Sequence, residues 1–224
     1  MQSAILFDIN ETVLDLSPLR PKFKRYFNDE SYTELWFSML LHSSTVCITT
    51  GVSTDLKRLS RAALISLSGR LNVPLSNAEC DDVLNTFASL PAHSDILPAL
   101  NKLKQAGFTL AAFSNSSLLL LESQLTSAGL IQHFDKVISV ESAGTFKPAK
   151  SAYHFALKQL DVSPNQARLI AAHDWDTHGA ISAGLNAAFI NRFGAHYNSE
   201  YIVPDIVGDT MGSVVTQIIN AAEK

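Results

Sequence analysis

Charge is sparse in this chain of 224 residues, and apart from a short basic cluster at Arg20, Lys22, Lys24 and Arg25, read as a solvated helix face, none of it gathers into a tract of one sign. Charged residues make up 17% and the formal net charge is -4. With no basic stripe there is no footprint for nucleic acid or for an anionic membrane surface. No apolar run approaches the roughly 20 residues that span a bilayer. Cysteine is scarce too: Cys47 and Cys80 form no C-x-x-C pair and fall in predicted helices. They read as buried, reduced thiols rather than a disulfide or metal site, which points to the cytoplasm. The first apolar strand follows Met1 within a few residues, so no signal peptide is expected. Low-complexity linkers and internal repeats are also missing, which leaves one large domain, or a core with an insertion.

Hydrophobic residues, by contrast, make up 46%, enough for a sizeable core. They fall into short runs at 5–7, 109–113, 137–140, 168–172 and 187–190, with a sixth near 205–207. Helical patterns at 96–105, 118–127, 151–160 and 177–183 separate most of them, and Gly107, Gly129 and Gly184 follow three of these helices. Alternating strands and helices predict the α/β class with a doubly wound parallel sheet. Residues 16–90 break the rhythm, with helical patterns at 31–42, 54–68 and 77–89 and no convincing strand. The expected organisation is a core of 1–15 and 91–224 with an inserted helical cap of 16–90. Such a cap would stand over the end of the first strand and exclude water. The plainer alternative is a helical subdomain that only enlarges the core.

Polar groups stand where the strands end. Asp8 ends the first, Ser114 and Asn115 the second, Lys147 follows the third, and His173, Asp174 and Asp176 follow the fourth. Parallel strand ends share one edge of a sheet, so these groups should converge there. Singly, such a residue is often a helix cap; together they suggest chemistry. Asp8 can act as a nucleophile and form a covalent ester. Thr12 and Ser114 offer hydroxyls, and Asn115 an amide, to hold an anionic substrate. Lys147 would keep Asp8 ionised. Asp176 would orient Lys147 or help activate water, and His173 is a candidate general base, its alternative being a hydrogen-bonded structural histidine.

Phe7-Asp8 through Thr12, Phe113-Ser114-Asn115, Lys147-Pro148 and His173-Asp174-Trp175-Asp176 resemble the four motifs of the haloacid dehalogenase (HAD) superfamily. The resemblance spans nearly the whole chain. It implies a Rossmann-like core, a helical cap and an aspartate nucleophile, here Asp8. Most of the superfamily are magnesium-dependent phosphatases. Their second motif-one aspartate, a general acid, corresponds to Asn10, and an amide cannot protonate a leaving alcohol. Their acidic metal ligand four residues before Asp176 corresponds to Ala172. Both departures resemble the metal-free L-2-haloacid dehalogenases, whose leaving group needs no proton. Tyr153 and Trp175 match that branch as well.

Other positions depart from it: the branch's serine and asparagine in the fourth motif are replaced by Ala172 and His173, a histidine there resembling variant enzymes that accept small substrates. The branch's tyrosine two residues after the nucleophile is replaced by Asn10. The halide-binding arginine after a cap Leu-Trp pair is replaced by Phe37, after Leu35-Trp36. The Trp36 indole, Asn10 or His173 would then serve as halide donors. The resemblance thus implies a metal-independent hydrolase of small 2-haloacids, an (S)-2-haloacid dehalogenase-like enzyme. No cofactor is expected. Asp8, Lys147, Asp176 and His173 are the catalytic set. Asn10, Thr12, Ser114, Asn115, Trp36, Phe37 and Tyr153 hold the substrate, and a homodimer is expected. Two alternatives stay open: a magnesium-dependent phosphatase of a small phosphomonoester, and a non-catalytic HAD-fold binding protein.

Overall fold

The first apolar run becomes β1 (Ala4–Phe7), buried along its whole length. The structure, a computed structural model, describes residues 3–222. Four helices follow β1: α1 (Arg20–Phe27), α2 (Tyr32–Thr50), α3 (Leu56–Leu71) and α4 (Asn77–Phe87). The chain then alternates through α5 (Ile96–Gln105), β2 (Thr109–Ser114), α6 (Leu118–Ser127), β3 (Lys136–Ser139), α7 (Lys150–Leu160), β4 (Ala167–Ala171), α8 (Asp174–Ser182), β5 (Asn186–Ile190), β6 (Ile206–Gly208) and α9 (Met211–Ala222). The strands form one six-stranded sheet in the order β3-β2-β1-β4-β5-β6, with every pairing parallel. Helices cover both faces, which is why the strands read as unbroken apolar runs without alternation.

The register places the site. Phe7 lies beside Ala112 on one side and Ile170 on the other, and Ser114 beside Ser139. Asp8, Ser114 and the residues after Ala171 therefore leave the sheet at one edge. Strand order reverses on either side of β1, so the crevice opens where β1 meets its neighbours.

Two elements differ from their sequence expectation. Helix α8 starts at Asp174, not 177, and so carries Asp174 and Asp176 in its first turn, where carboxylates favour the positive helix end. Asp174 Oδ1 also accepts from the Trp175 N–H at 2.7 Å. Helix α2 runs to Thr50, well past the expected end at 42. Its second half, rich in Ser, Thr and Val, has poor helix propensity. The hydroxyls are absorbed inside the helix: Ser43 donates to Met39 O, Thr49 to Val46 O and Thr50 to Val46 O.

The four-helix segment leaves and rejoins the core at a single joint. Leu14 bridges Ala92 antiparallel, with Asp15 N donating to Pro91 O at 2.8 Å and His93 N to Val13 O at 3.0 Å. Within the segment Trp36 is fully buried against Phe23, Phe37 and Phe87, at ring-centroid distances of 5.6, 6.2 and 5.5 Å. Cys47 and Cys80 are free thiols in α2 and α4.

Candidate active site

Asp8 follows β1 directly, and its N–H donates to Ile170 O at 3.0 Å, which locks the carboxylate over the sheet edge. The turn beyond it needs a left-handed residue, supplied by Glu11 at φ 65°. Each Asp8 oxygen is held by different donors. Oδ1 accepts from Lys147 Nζ at 2.8 Å. Oδ2 accepts from Thr12 Oγ1 at 2.7 Å and pairs with His173 Nδ1 at 3.1 Å. Burial works to raise the Asp8 pKa, but Lys147 and His173 outweigh it and hold the carboxyl far below the usual range. Asp8 is an ionised carboxylate.

Lys147 is built in from every side. Nζ gives its other donors to Asp176 Oδ2 at 2.7 Å and Phe113 O at 3.2 Å. Its peptide is clamped by Asn115, whose Oδ1 accepts from Lys147 N at 2.7 Å and whose Nδ2 donates to Lys147 O at 3.3 Å. Burial alone would lower the Lys147 pKa, yet Asp176 and Asp8 raise it, so the ammonium is permanent. Tyr153 OH donates to Asp176 Oδ1 at 2.6 Å.

His173 lies between two carboxylates, Asp8 and Glu11, with Nε2 at 2.7 Å from Glu11 Oε2. Burial favours the neutral ring, but the bonds to Asp8 and Glu11 prevail and push its pKa up to about 10. The resting residue is an imidazolium that donates from both nitrogens. Its ring stacks on Trp175 at 5.2 Å and faces Phe37 at 6.2 Å.

Several expected roles are corrected by this arrangement. His173 is protonated before the substrate arrives, so it is not a resting general base. Thr12 is fully buried and uses its hydroxyl to donate to Asp8 and accept from Ala172 N at 2.8 Å. Its hydroxyl is spent on orienting the Asp8 carboxylate and is not open to the chamber. Tyr153, also fully buried, is occupied with Asp176, and both Asp176 oxygens are taken by Lys147 and Tyr153, which fits the expected role of orienting Lys147 rather than of activating water. The Trp36 indole donates to Ser60 O at 3.0 Å within the cap, which removes it as a halide donor.

The remaining expected groups line a small inner chamber of about 20 Å³: Asp8, Asn10, Phe37, Ser114 and Asn115, with Lys147 and His173. Beside it a vestibule of about 490 Å³ shares Phe37, Lys147, His173 and Trp175 and leads outward past Leu41 and Tyr201. The sequence reading missed Glu11 and Gln124. Glu11 was in view within the first motif, and the only signal was an acid there opposite a histidine in the fourth. Gln124, buried on α6, gave none.

The arrangement does not fit the magnesium ion used by much of the superfamily. An octahedral magnesium site needs one or two carboxylates free to ligate, the rest being water or other oxygens. Here two cations already occupy Asp8, while Asp174 is spent on Trp175 N and Asn198 N and position 172 is alanine. Among the described residues no group of three or more His, Cys, Asp or Glu is placed to hold a metal.

With the geometry in place, the chain can be set beside known proteins. The family model for haloacid dehalogenase-like hydrolases matches residues 2–184. (S)-2-haloacid dehalogenase 1 of Pseudomonas sp. (strain CBS-3) is 29% identical over 191 residues, covering 84% of each chain. (S)-2-haloacid dehalogenase 4A of Burkholderia cepacia is 28% identical over 193 residues, covering 85% of this chain and 84% of its own. The L-2-haloacid dehalogenase of Xanthobacter autotrophicus, solved with chloropropionic acid covalently bound, superposes with a TM-score of 0.91. That match covers 97% of this chain and 98% of the other at 22% identity, a likeness of fold.

Proposed function

Because the chain belongs to the haloacid dehalogenase-like hydrolase family, we propose that it hydrolyses small 2-haloalkanoic acids through an ester on Asp8. The observation that carries this reading is an ionised Asp8 clamped by Lys147 and His173, with Asn10 where an acid would have to stand. A halogen leaves without a proton, so the lack of an acid costs nothing. The relatives named (S)-2-haloacid dehalogenases favour the same substrate class.

A carboxylate oxygen of Asp8 attacks the carbon bearing the halogen, and the carbon–halogen bond breaks with its electron pair leaving on the halide. The two cations that hold Asp8 also pull a substrate carboxylate into the chamber, where Ser114 and Asn115 line the wall. Water then attacks the ester carbonyl of Asp8. This returns the aspartate and releases a 2-hydroxyacid of inverted configuration and one proton. His173 changes character between the two steps. Once Asp8 is esterified its charge is gone, and burial pulls the imidazolium pKa down again. His173, still paired with Glu11, then gives its Nδ1 proton up to solvent, and the freed Nδ1 can take a proton from the attacking water.

Residues 16–90 act as the lid over this chamber, since Phe37, Leu41 and Leu56 from the cap form its wall. The enzyme is expected in the cytoplasm as a homodimer; sedimentation checks its mass, and apolar residues left outside, such as Leu119 on α6, offer contact area. Halide release from chloroacetate, bromoacetate and 2-chloropropionate, assayed with and without EDTA, tests the reaction. Release indifferent to the chelator is expected, and Asp8→Asn is expected to release none. Activity only on phosphomonoesters with added magnesium would replace this reading with the phosphatase one.

A further inference from the structure

The charged donors around the inner chamber are all spent. Lys147 gives its N–H groups to Asp8, Asp176 and Phe113 O, and His173 gives both of its own to Asp8 and Glu11. Thr12 and the Trp36 indole are committed elsewhere. Donors that remain on the chamber wall include the Ser114 hydroxyl, which only accepts, from Ser116 N, and the second N–H of Asn115, whose first goes to Lys147 O. They also include the Asn10 amide, and of the three it alone is aimed from the cap. Asn10 Oδ1 accepts from Gln124 Nε2 at 3.1 Å, while Asn10 Nδ2 makes only a long contact of 3.4 Å to Ser116 Oγ.

The orientation of that amide is dictated from the cap. Gln124 Nε2 donates to Phe87 O, the last residue of α4, at 2.9 Å. A backbone carbonyl only accepts, so Gln124 must turn its NH₂ group toward it. The second hydrogen of the same nitrogen then requires an acceptor, which fixes Asn10 with its oxygen toward Gln124. Gln124 Oε1 is satisfied by the Ser116 hydroxyl at 3.4 Å. The N–H side of Asn10 is what remains for the chamber that it lines.

We propose that Gln124 is a positioning residue that presents the Asn10 N–H to the departing halide and ties that donor to a seated cap. The proposal rests on the dehalogenase reading above. As the carbon–halogen bond breaks, the electron pair and the charge collect on the halogen, and Asn10 donates a hydrogen bond to it; no proton is transferred. A neutral amide thereby stands in for the charged donor missing at Phe37. If the cap lifts, Phe87 O withdraws and the amide pair loses its anchor.

The test is the dependence of rate on the halogen. Hydrogen bonding helps a poor leaving group more than a good one. In Gln124→Glu the ionised side chain has no donor and reverses the Asn10 amide, and a protonated one has a single hydrogen where Gln124 Nε2 has two, so it cannot satisfy Phe87 O and Asn10 Oδ1 together. The expected result is a kcat/KM for chloroacetate that falls about tenfold further than that for iodoacetate, the size of one hydrogen bond. An equal fall for chloro-, bromo- and iodoacetate, or no fall, would overturn the proposal. Should Gln124→Glu not fold, as judged by its unfolding curve, Ser116→Ala decides. It loosens the same amide pair, and the same halogen order is expected at smaller size, with equal losses again overturning the role. A wild-type chain that releases no halide from any haloacetate sinks the dehalogenase reading itself. An active wild type with a halogen-blind Gln124→Glu sinks only the role of Gln124.

Discussion

Asp8 is held by two cations from opposite sides, and this sets how the site responds to pH. The folded state raises the pKa of His173 from 6.5 to about 10, chiefly because its bonds to Asp8 and Glu11 outweigh its burial. A group raised on folding stabilises fully below its unfolded value and loses that contribution as pH climbs through the folded one. His173 therefore stabilises the fold most below about pH 6.5, and less with each step toward pH 10. Asp8 has the opposite sign: its depressed pKa stabilises above its ordinary 3.8 and is lost as the solution becomes more acid. In urea unfolding between pH 6.5 and 10, the wild type is expected to lose stability with rising pH, while His173→Gln shows a flatter profile across that window. Equal slopes would mean that His173 is neutral in the resting protein. The meeting of Asp8, Lys147 and His173 could be read from the chain because each follows a strand of one parallel sheet. The protonation of His173 could not, since it depends on Glu11, 162 residues away along the chain.

Helices α7 and α8 together hold the Lys147 partner Asp176, and the contact between them leaves no room at one point. A Cβ on Gly179 would stand 2.5 Å from Tyr153 OH and 2.7 Å from Pro148 Cβ. Gly179→Ala must push Tyr153 away from Asp176. The expected cost is about 1–3 kcal/mol of stability, from overpacking. A kcat lowered by about tenfold or more with little change in KM should accompany it, since the change disturbs the orientation of Lys147 rather than the binding surface. Tyr153→Phe removes the hydroxyl without the clash and should reproduce the kinetic loss with a smaller loss of stability; steady-state kinetics and thermal melts of the pair separate the two effects. At this scale the sequence pattern located the strands and most helices to within a few residues. It misjudged α2, where hydroxyls bonded back inside the helix override weak propensity, and α8, where carboxylates in the first turn start the helix early.

Over the whole molecule, the chain enters and leaves the four helices between β1 and α5 beside a short antiparallel bridge at Leu14 and Ala92. Around Trp36 the helical segment gathers Phe23 and Phe87 into an aromatic cluster continuous with the core of the sheet, and Trp36 itself does not line the chamber. Trp36→Phe leaves the indole site at Ser60 O without its donor. It is expected to lower stability by about 1–3 kcal/mol in denaturant unfolding, while kcat/KM for the folded enzyme stays near wild type. A selective loss of halide release would instead return Trp36 to the site. Phe37, its neighbour, faces the chamber, and Phe37→Ala should raise KM through a wider, wetter pocket.

Read alone, the order of residues determined the parallel α/β class, the place of the helical insertion and the strand ends where polar groups gather. Each of these follows from local hydrophobic periodicity and from the rule that parallel strands share an edge. Only the tertiary structure decided which polar atoms are already spent. Thr12, Tyr153 and Trp36 look available in the chain and are saturated in the fold, while Glu11 and Gln124 look ordinary and prove to set the charge of His173 and the aim of Asn10. Hydrogen-bond saturation and protonation depend on distances between groups far apart in sequence. Those distances exist only once the chain has folded, and for Gln124 only once α6 has met the end of α4 at Phe87.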